Sequence, residues 1–126
     1  MKKISVLKVS LGKRPELITI PHTLEEMQRI VEGSIQAIYP YEDPVALVCN
    51  EEGKLLGQKP NRAIRDANGT ITEIICGTFF ICGLTRENFG SLTKGQIDFY
   101  SKLFWSPELF LWNGNNLVVL PMDFCA

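Results

Sequence analysis

The segment Ile71–Cys82, with the sequence ITEIICGTFFIC, constrains the fold more than any other part of the chain. After Glu73 it is apolar on both alternating faces, whereas a strand with one face in water alternates apolar and polar residues. A strand of this kind is covered on both sides, so the segment predicts one long central strand. Gly77 in its middle predicts a bulge or a close backbone approach.

Two segments predict the helices that would pack on such a sheet. Thr23 and Glu26 have the spacing of a capping box, in which each side chain satisfies a free backbone N–H, and Thr93 and Gln96 repeat that spacing. Apolar residues follow both boxes at helical intervals, and Gly33 supplies a stop signal for the first. We therefore expect two helices, each with one buried stripe.

The remaining apolar runs are short and bounded by turn residues, which is typical of strands. The predicted strands are Ile4–Val9, Glu16–Ile20, Ser34–Tyr39, Val45–Cys49, Lys54–Leu56, Leu109–Trp112 and Leu117–Leu120. Residues 58–70 are predicted to be irregular. The resulting order is ββαβββ, the long strand, α, ββ, which predicts an α+β protein with a mostly antiparallel sheet and two helices. A length of 126 residues suits a single domain, 1–126.

Composition narrows the classes of function. Thirteen basic and fourteen acidic residues leave a net charge of −1, so we expect no nucleic-acid partner that depends on many phosphate contacts. No apolar run approaches the roughly 20 residues needed to span a bilayer, and no secretory signal is complete. The four cysteines lack both CxxC spacing and partner histidines. We expect a cytoplasmic protein without membrane contact, cofactor or metal.

The stretch Val45–Arg62, with the sequence VALVCNEEGKLLGQKPNR, holds the candidate polar site. Asn50 and Glu51 begin a tight turn after an apolar strand, and Asn61 and Arg62 follow a proline. For Arg62 we favour a structural ion pair, and the alternative is that its guanidinium holds an anionic ligand by fork geometry. Asn61 is also placed to cap a short helical turn.

No catalytic arrangement is identified. His22 is the only histidine, and the spacing does not require it to form a dyad with Cys49. We therefore assign no catalytic residue and favour a non-enzymatic role. Trp105 and Trp112 flank predicted turns and are candidate interface anchors, since tryptophan dominates many binding surfaces.

The run VCNEEGKLLG, followed by PNRA, resembles the signature of the bacterial family called domain of unknown function 3846. The pieces TLEEMQRIVEGSIQAI, IICGTFFICG and SLTKGQ match it in the same order, so the resemblance covers nearly the whole chain. The family has no established activity and transfers no catalytic residue. The resemblance implies a cytoplasmic protein carried by conjugative elements or phages. The segment Gly57-Gln58-Lys59 departs from the family in lacking an apolar residue before the proline.

Three interpretations follow. The first is a non-enzymatic module that binds a host or element-encoded protein, with counter-defence as one role that fits the setting. The second is a small-molecule-binding or enzymatic domain in which Asn50, Glu51, Asn61 and Arg62 converge on one polar ligand. The third is a homodimer formed through an edge strand of the C-terminal hairpin.

Overall fold

The computed structural model describes residues 2–122, and over that range the predicted α+β fold with mostly antiparallel strands and two helices is confirmed. Each described strand pair is antiparallel. The helices are α1 (Leu24–Val31) and α2 (Lys94–Leu103). The strands are β1 (Lys3–Val9), β2 (Glu16–Pro21), β3 (Ile35–Ile38), β4 (Val45–Asn50), β5 (Pro60–Arg65), β6 (Ile71–Cys76), β7 (Phe79–Leu84), β8 (Phe89–Gly90), β9 (Glu108–Asn113) and β10 (Asn116–Pro121).

The main sheet has the strand order β2-β1-β7-β4-β3, and the short β8 pairs with β7. β7 therefore lies at the centre, between β1 and β4. Its Phe79 and Ile81 enter one hydrophobic cluster, while Phe80 and Cys82 enter the other, and all four are fully buried. Burying a large apolar side chain contributes about 1.5–3 kcal/mol. The predicted coverage on both faces is confirmed for this part of the segment.

Different elements supply the two clusters. On one side of the sheet, α1 contributes Met27, Ile30 and Val31. On the other side, α2 contributes Tyr100, and Ile64 comes from β5. The sheet is thus covered by one helix on one face and by the second helix with the β5–β6 pair on the other.

The helix caps follow the predicted spacing with one difference. The Oγ1 of Thr93 accepts from the backbone N–H of Gln96 at 3.2 Å, and the Gln96 side chain returns a 2.9 Å bond to the N–H of Thr93. This capping box is confirmed. At α1 the Oγ1 of Thr23 accepts from the N–H of Glu26 at 3.2 Å. The Glu26 carboxylate, however, accepts from Arg29, so only half of that box forms.

The prediction of one long strand over Ile71–Cys82 is wrong, because the chain turns at Gly77 and divides into β6 and β7. Gly77 has a φ of +77°, in the left-handed region that favours glycine. A Cβ at this position would lie 2.2 Å from Oε1 of Gln58. The N–H of Gly77 also donates to the backbone carbonyl oxygen of Lys59 at 2.9 Å, so the predicted close backbone approach is confirmed. After the break, β6 lies outside the main sheet and pairs with β5.

Two predictions between residues 51 and 65 are wrong. Lys54–Leu56 does not form a returning strand, because it lies within a series of turns. The strand forms later, at Pro60–Arg65, where we expected irregular chain and a helical turn after Asn61. Pairing with β6 decides this outcome, since it supplies the backbone partners of β5 and buries residues 61–64.

The predicted C-terminal hairpin is confirmed as the two-stranded sheet of β9 and β10. Asn113 and Asn116 face each other across a two-residue turn. The Glu108 carboxylate attaches the hairpin to β5: Oε1 accepts from the N–H of Ala63 at 2.8 Å, and Oε2 pairs with Arg65 at 2.9 Å. A side chain thus takes the place of a strand partner beside β5.

Candidate functional site

Asn50 joins the end of β4 to the end of α1. Its buried side chain donates from Nδ2 to the carbonyl oxygens of Val31 and Glu32, each at 3.1 Å, and Oδ1 accepts from the N–H of Glu52 at 2.7 Å. The last carbonyls of a helix have no partner within the helix, so these bonds cap its C-terminus. The described contacts of Asn50 are therefore structural.

Glu51 lies exposed in the turn that follows. Together with Asn50 it lines a cleft of about 340 Å³ between that turn and β6, along with Glu73 and Cys76. Neither Asn61 nor Arg62 is among the residues that line this cleft. The structure therefore brings two of the four predicted polar residues together and places the other two elsewhere.

Arg62 is only 1% exposed. Its Nε and Nη2 donate to the carbonyl oxygen of Phe104 at 3.3 and 3.1 Å, and Nη2 also donates to the carbonyl oxygen of Lys13 at 2.6 Å. Nη1 donates to the backbone oxygen of Asn61 at 3.2 Å and to its Oδ1 at 2.7 Å. These five bonds match the five N–H groups of a guanidinium. Arg62 thus connects the β1–β2 turn, β5 and the end of α2.

Asn61 extends the same network. Its Nδ2 donates to the carbonyl oxygens of Val9 at 3.0 Å and Gly77 at 2.8 Å. Burial lowers the pKa of Arg62, and Glu108 partly opposes that shift. Because the described N–H groups of both side chains are bound to protein oxygen, this pair holds elements together. The ion pair to a carboxylate belongs to Arg65 and Glu108 instead.

The cysteines near the cleft are poor nucleophiles. Burial raises the pKa of Cys49 to about 11 and raises the pKa of Cys76. A thiol reacts as its thiolate, so both are largely unreactive near neutral pH. Within residues 2–122, no group of three or more His, Cys, Asp or Glu side chains is placed to hold a metal ion. Cys125 lies outside the described residues.

The two tryptophans occupy different surroundings. Trp105 is half-exposed, and the guanidinium of Arg14 lies 4.5 Å from the centre of its ring. Trp112 is 73% exposed on β9 and lines an apolar groove of about 610 Å³ between the hairpin and the β5–β6 pair. Leu117 of the hairpin and Ile74 of β6 also line that groove. Trp112 is therefore the more open of the two predicted anchors.

The hairpin also carries a surface that our reading of the sequence missed. Side chains alternate along a strand, so one face of the hairpin presents four aliphatic residues together with Asn113 and Asn116. We call it the aliphatic face, and its aliphatic members are Leu109, Leu111, Val118 and Leu120. Its three leucines are 41–45% exposed, and the face has no charged residue. The signal was present, because ELFLWN and NLVVLP are apolar at both alternating positions.

The described fold and surfaces define a small α+β protein with buried structural Asn and Arg side chains and an exposed apolar hairpin. The chain belongs to the family described as domain of unknown function (DUF3846), whose family model matches residues 1–105. The predicted resemblance is thus confirmed, and the hairpin lies beyond the matched residues. No curated protein and no solved structure matches the chain. Among the described helices, none is long and apolar enough to cross a membrane.

Proposed function

We propose that this protein is a non-enzymatic module that binds a partner protein through the β9–β10 hairpin. The observation that carries the proposal is the aliphatic face, where Leu109, Leu111 and Leu120 remain 41%, 45% and 45% exposed without a charged neighbour on that face. Contiguous exposed apolar surface marks interaction sites in soluble proteins. The buried centres of protein interfaces are likewise depleted of charged residues.

The gain from covering this face is appreciable. Full burial of a leucine side chain contributes about 1.5–3 kcal/mol, so covering a half-exposed one contributes about 1 kcal/mol. Three leucines and the half-buried Val118 therefore supply a few kcal/mol. Further contacts have to add to this value, because association itself costs about 4–15 kcal/mol.

The opposite face of the hairpin supports the same proposal. Trp112 lies there, lines the apolar groove and is 73% exposed, so a partner can contact its ring. Tryptophan is among the residues whose removal costs most at interfaces. Arg62 is not part of the proposed binding surface, because its guanidinium N–H groups donate to oxygen atoms of the protein itself.

The partner in this proposal is a host or element-encoded protein in the cytoplasm, as the family resemblance implies, and counter-defence is the role that fits a mobile genetic element. A ligand site built from all four predicted polar residues is not part of the proposal. Asn61 and Arg62 are bonded within the core, and Asn50 caps a helix.

The test compares the wild-type chain with a Leu111→Lys, Leu120→Lys double variant. Leu17→Lys on β2 is the matched control, since Leu17 is 53% exposed and also lies on a strand. Each protein is used to capture partners from a lysate of the source cells, and any retained protein is then purified and titrated. We expect one partner to bind wild type and control equally and the double variant at least about tenfold more weakly. Equal binding to all three proteins would contradict the proposal.

A further inference from the structure

The outer edge of β10 has a regular set of backbone groups that have no partner among residues 2–122. Asn113 and Asn116 close a two-residue turn, and the N–H of Met122 donates to the carbonyl oxygen of Pro107 at 2.7 Å. Along an antiparallel hairpin, hydrogen-bonded residue pairs alternate with non-hydrogen-bonded pairs. Both facts show that Asn113 and Asn116 form the first hydrogen-bonded pair. The N–H and C=O groups of Leu117 and Val119 therefore point away from β9. Among the described strands, β10 pairs with β9 alone.

Within the described part of the chain, this edge lacks three features that often prevent strand pairing. Proteins protect edge strands by charge, by proline or by short length. β10 has six residues and no charge, and its Pro121 stands at the last position. The outer strands of the main sheet differ, because β2 begins with Glu16 and β3 has only four residues.

We propose that a second copy of this chain pairs with the β10 edge in antiparallel orientation, so that two hairpins form one four-stranded sheet. Self-pairing places like residues near each other, and an uncharged edge is the kind that tolerates this. The net charge of −1 per chain adds little long-range repulsion. A two-stranded sheet is also marginally stable by itself, whereas three or more strands with a hydrophobic face can be independently stable.

The geometry specifies the register. With a two-fold axis beside Val118, Leu117 of each copy lies opposite Val119 of the other copy. The N–H and the C=O of each of these residues then bond to the residue opposite. This register does not use Pro121, which has no N–H to donate. It also places the two Val118 side chains directly opposite each other. The two aliphatic faces then join into one surface. The dimer thus extends the proposed partner-binding face, and the role of the joined surface rests on the proposed function.

Cysteine cross-linking tests the register. The probe is Val118→Cys in a Cys125→Ser background, with Leu120→Cys in the same background as the matched control. Directly opposed residues of this type have Cα atoms about 4.5 Å apart, within the range of a disulfide. We expect Val118→Cys to form a covalent dimer under mild oxidation and Leu120→Cys to stay largely monomeric, because Leu120 would face Asn116 of the second copy. Equal cross-linking of both variants would overturn the register.

Sedimentation of the uncross-linked protein tests the dimer itself. As the protein concentration is raised from about 1 μM to about 1 mM, we expect a species of twice the 14.2 kDa chain mass to form. Val119→Pro removes one outward N–H without touching a β9 bond, and it should weaken dimerisation at least about tenfold while leaving the far-UV circular dichroism unchanged. A wild-type protein that stays monomeric throughout would refute the inference; if Val119→Pro does not fold, the cross-linking pair decides. A monomer that still captures its partner refutes only this inference, whereas a dimer that captures nothing refutes only the proposed function.

Discussion

Arg62→Met should destabilise the fold by about 3 kcal/mol, because it removes the side chain that connects three parts of the structure. Methionine retains an apolar stem of similar length but removes all five guanidinium donors. The carbonyl oxygen of Phe104 and Oδ1 of Asn61, which belong to buried residues, lose these bonds. Each buried acceptor left without a partner costs about 1–3 kcal/mol.

One effect offsets part of that loss. A buried guanidinium is costly to desolvate, which is why burial lowers its pKa, and a neutral side chain avoids this cost. The net value of about 3 kcal/mol remains below the 5–15 kcal/mol typical of a whole domain, so the variant should fold in buffer. For a chain of this size the midpoint temperature should fall by about 10–15 °C.

Urea unfolding followed by far-UV circular dichroism measures the change, with Arg65→Met as the control. Arg65 lies on the same strand, but its side chain is partly exposed and forms a single ion pair with Glu108. Such a pair contributes about 0–1 kcal/mol. Equal m-values would show that both variants unfold by the same transition. If Arg62→Met lost no more stability than Arg65→Met, the structural role argued for Arg62 would be refuted.

Two further predictions concern backbone strain and alkaline pH. Gly77→Ala should lower the free energy of unfolding by more than about 1 kcal/mol, because φ is positive and the new Cβ would collide with Gln58. The control is Gly95→Ala in α2, where the new Cβ has open space. This control should gain up to about 1 kcal/mol in the same urea assay. Loss of stability by both variants alike would contradict this. Burial raises the pKa of Tyr41 from 10.0 to about 12 and that of Cys82 from 9.0 to about 12. The folded state then holds these protons more tightly than the unfolded state. The contribution of both groups to the free energy of unfolding is therefore complete below about pH 9 and is lost as the pH rises towards 12. The loss is up to about 1.4 kcal/mol per pH unit for each group. Unfolding free energies that stay level between pH 9 and 11 would contradict the second prediction.

Elements with a local signal could be predicted without the structure. The caps at Thr23 and Thr93 depend on partners three residues away, and the C-terminal hairpin depends on a two-residue turn. The apolar second half of Ile71–Cys82 predicted a strand buried on both faces, since a strand with one face in water alternates apolar and polar residues. These signals were enough for the fold class and for the family.

The break at Gly77 and the strand at Pro60–Arg65 could not be predicted in the same way. An apolar run looks the same whether it continues straight or turns, and the positive φ of Gly77 and its close contact with Gln58 exist only in the folded chain. Residues 60–65 contain proline and three polar side chains, which is typical of an exposed connection. Pairing with β6 overrides that local preference.

The candidate site shows the same division between local and distant contacts. Sequence alone singled out Asn50, Asn61 and Arg62 as polar residues in an unusual setting. Contacts between distant residues settled what they do, because Arg62 finds its carbonyl partners 49 residues earlier at Lys13 and 42 residues later at Phe104. A buried charge is stable only where such partners converge, and that convergence is a property of the folded chain.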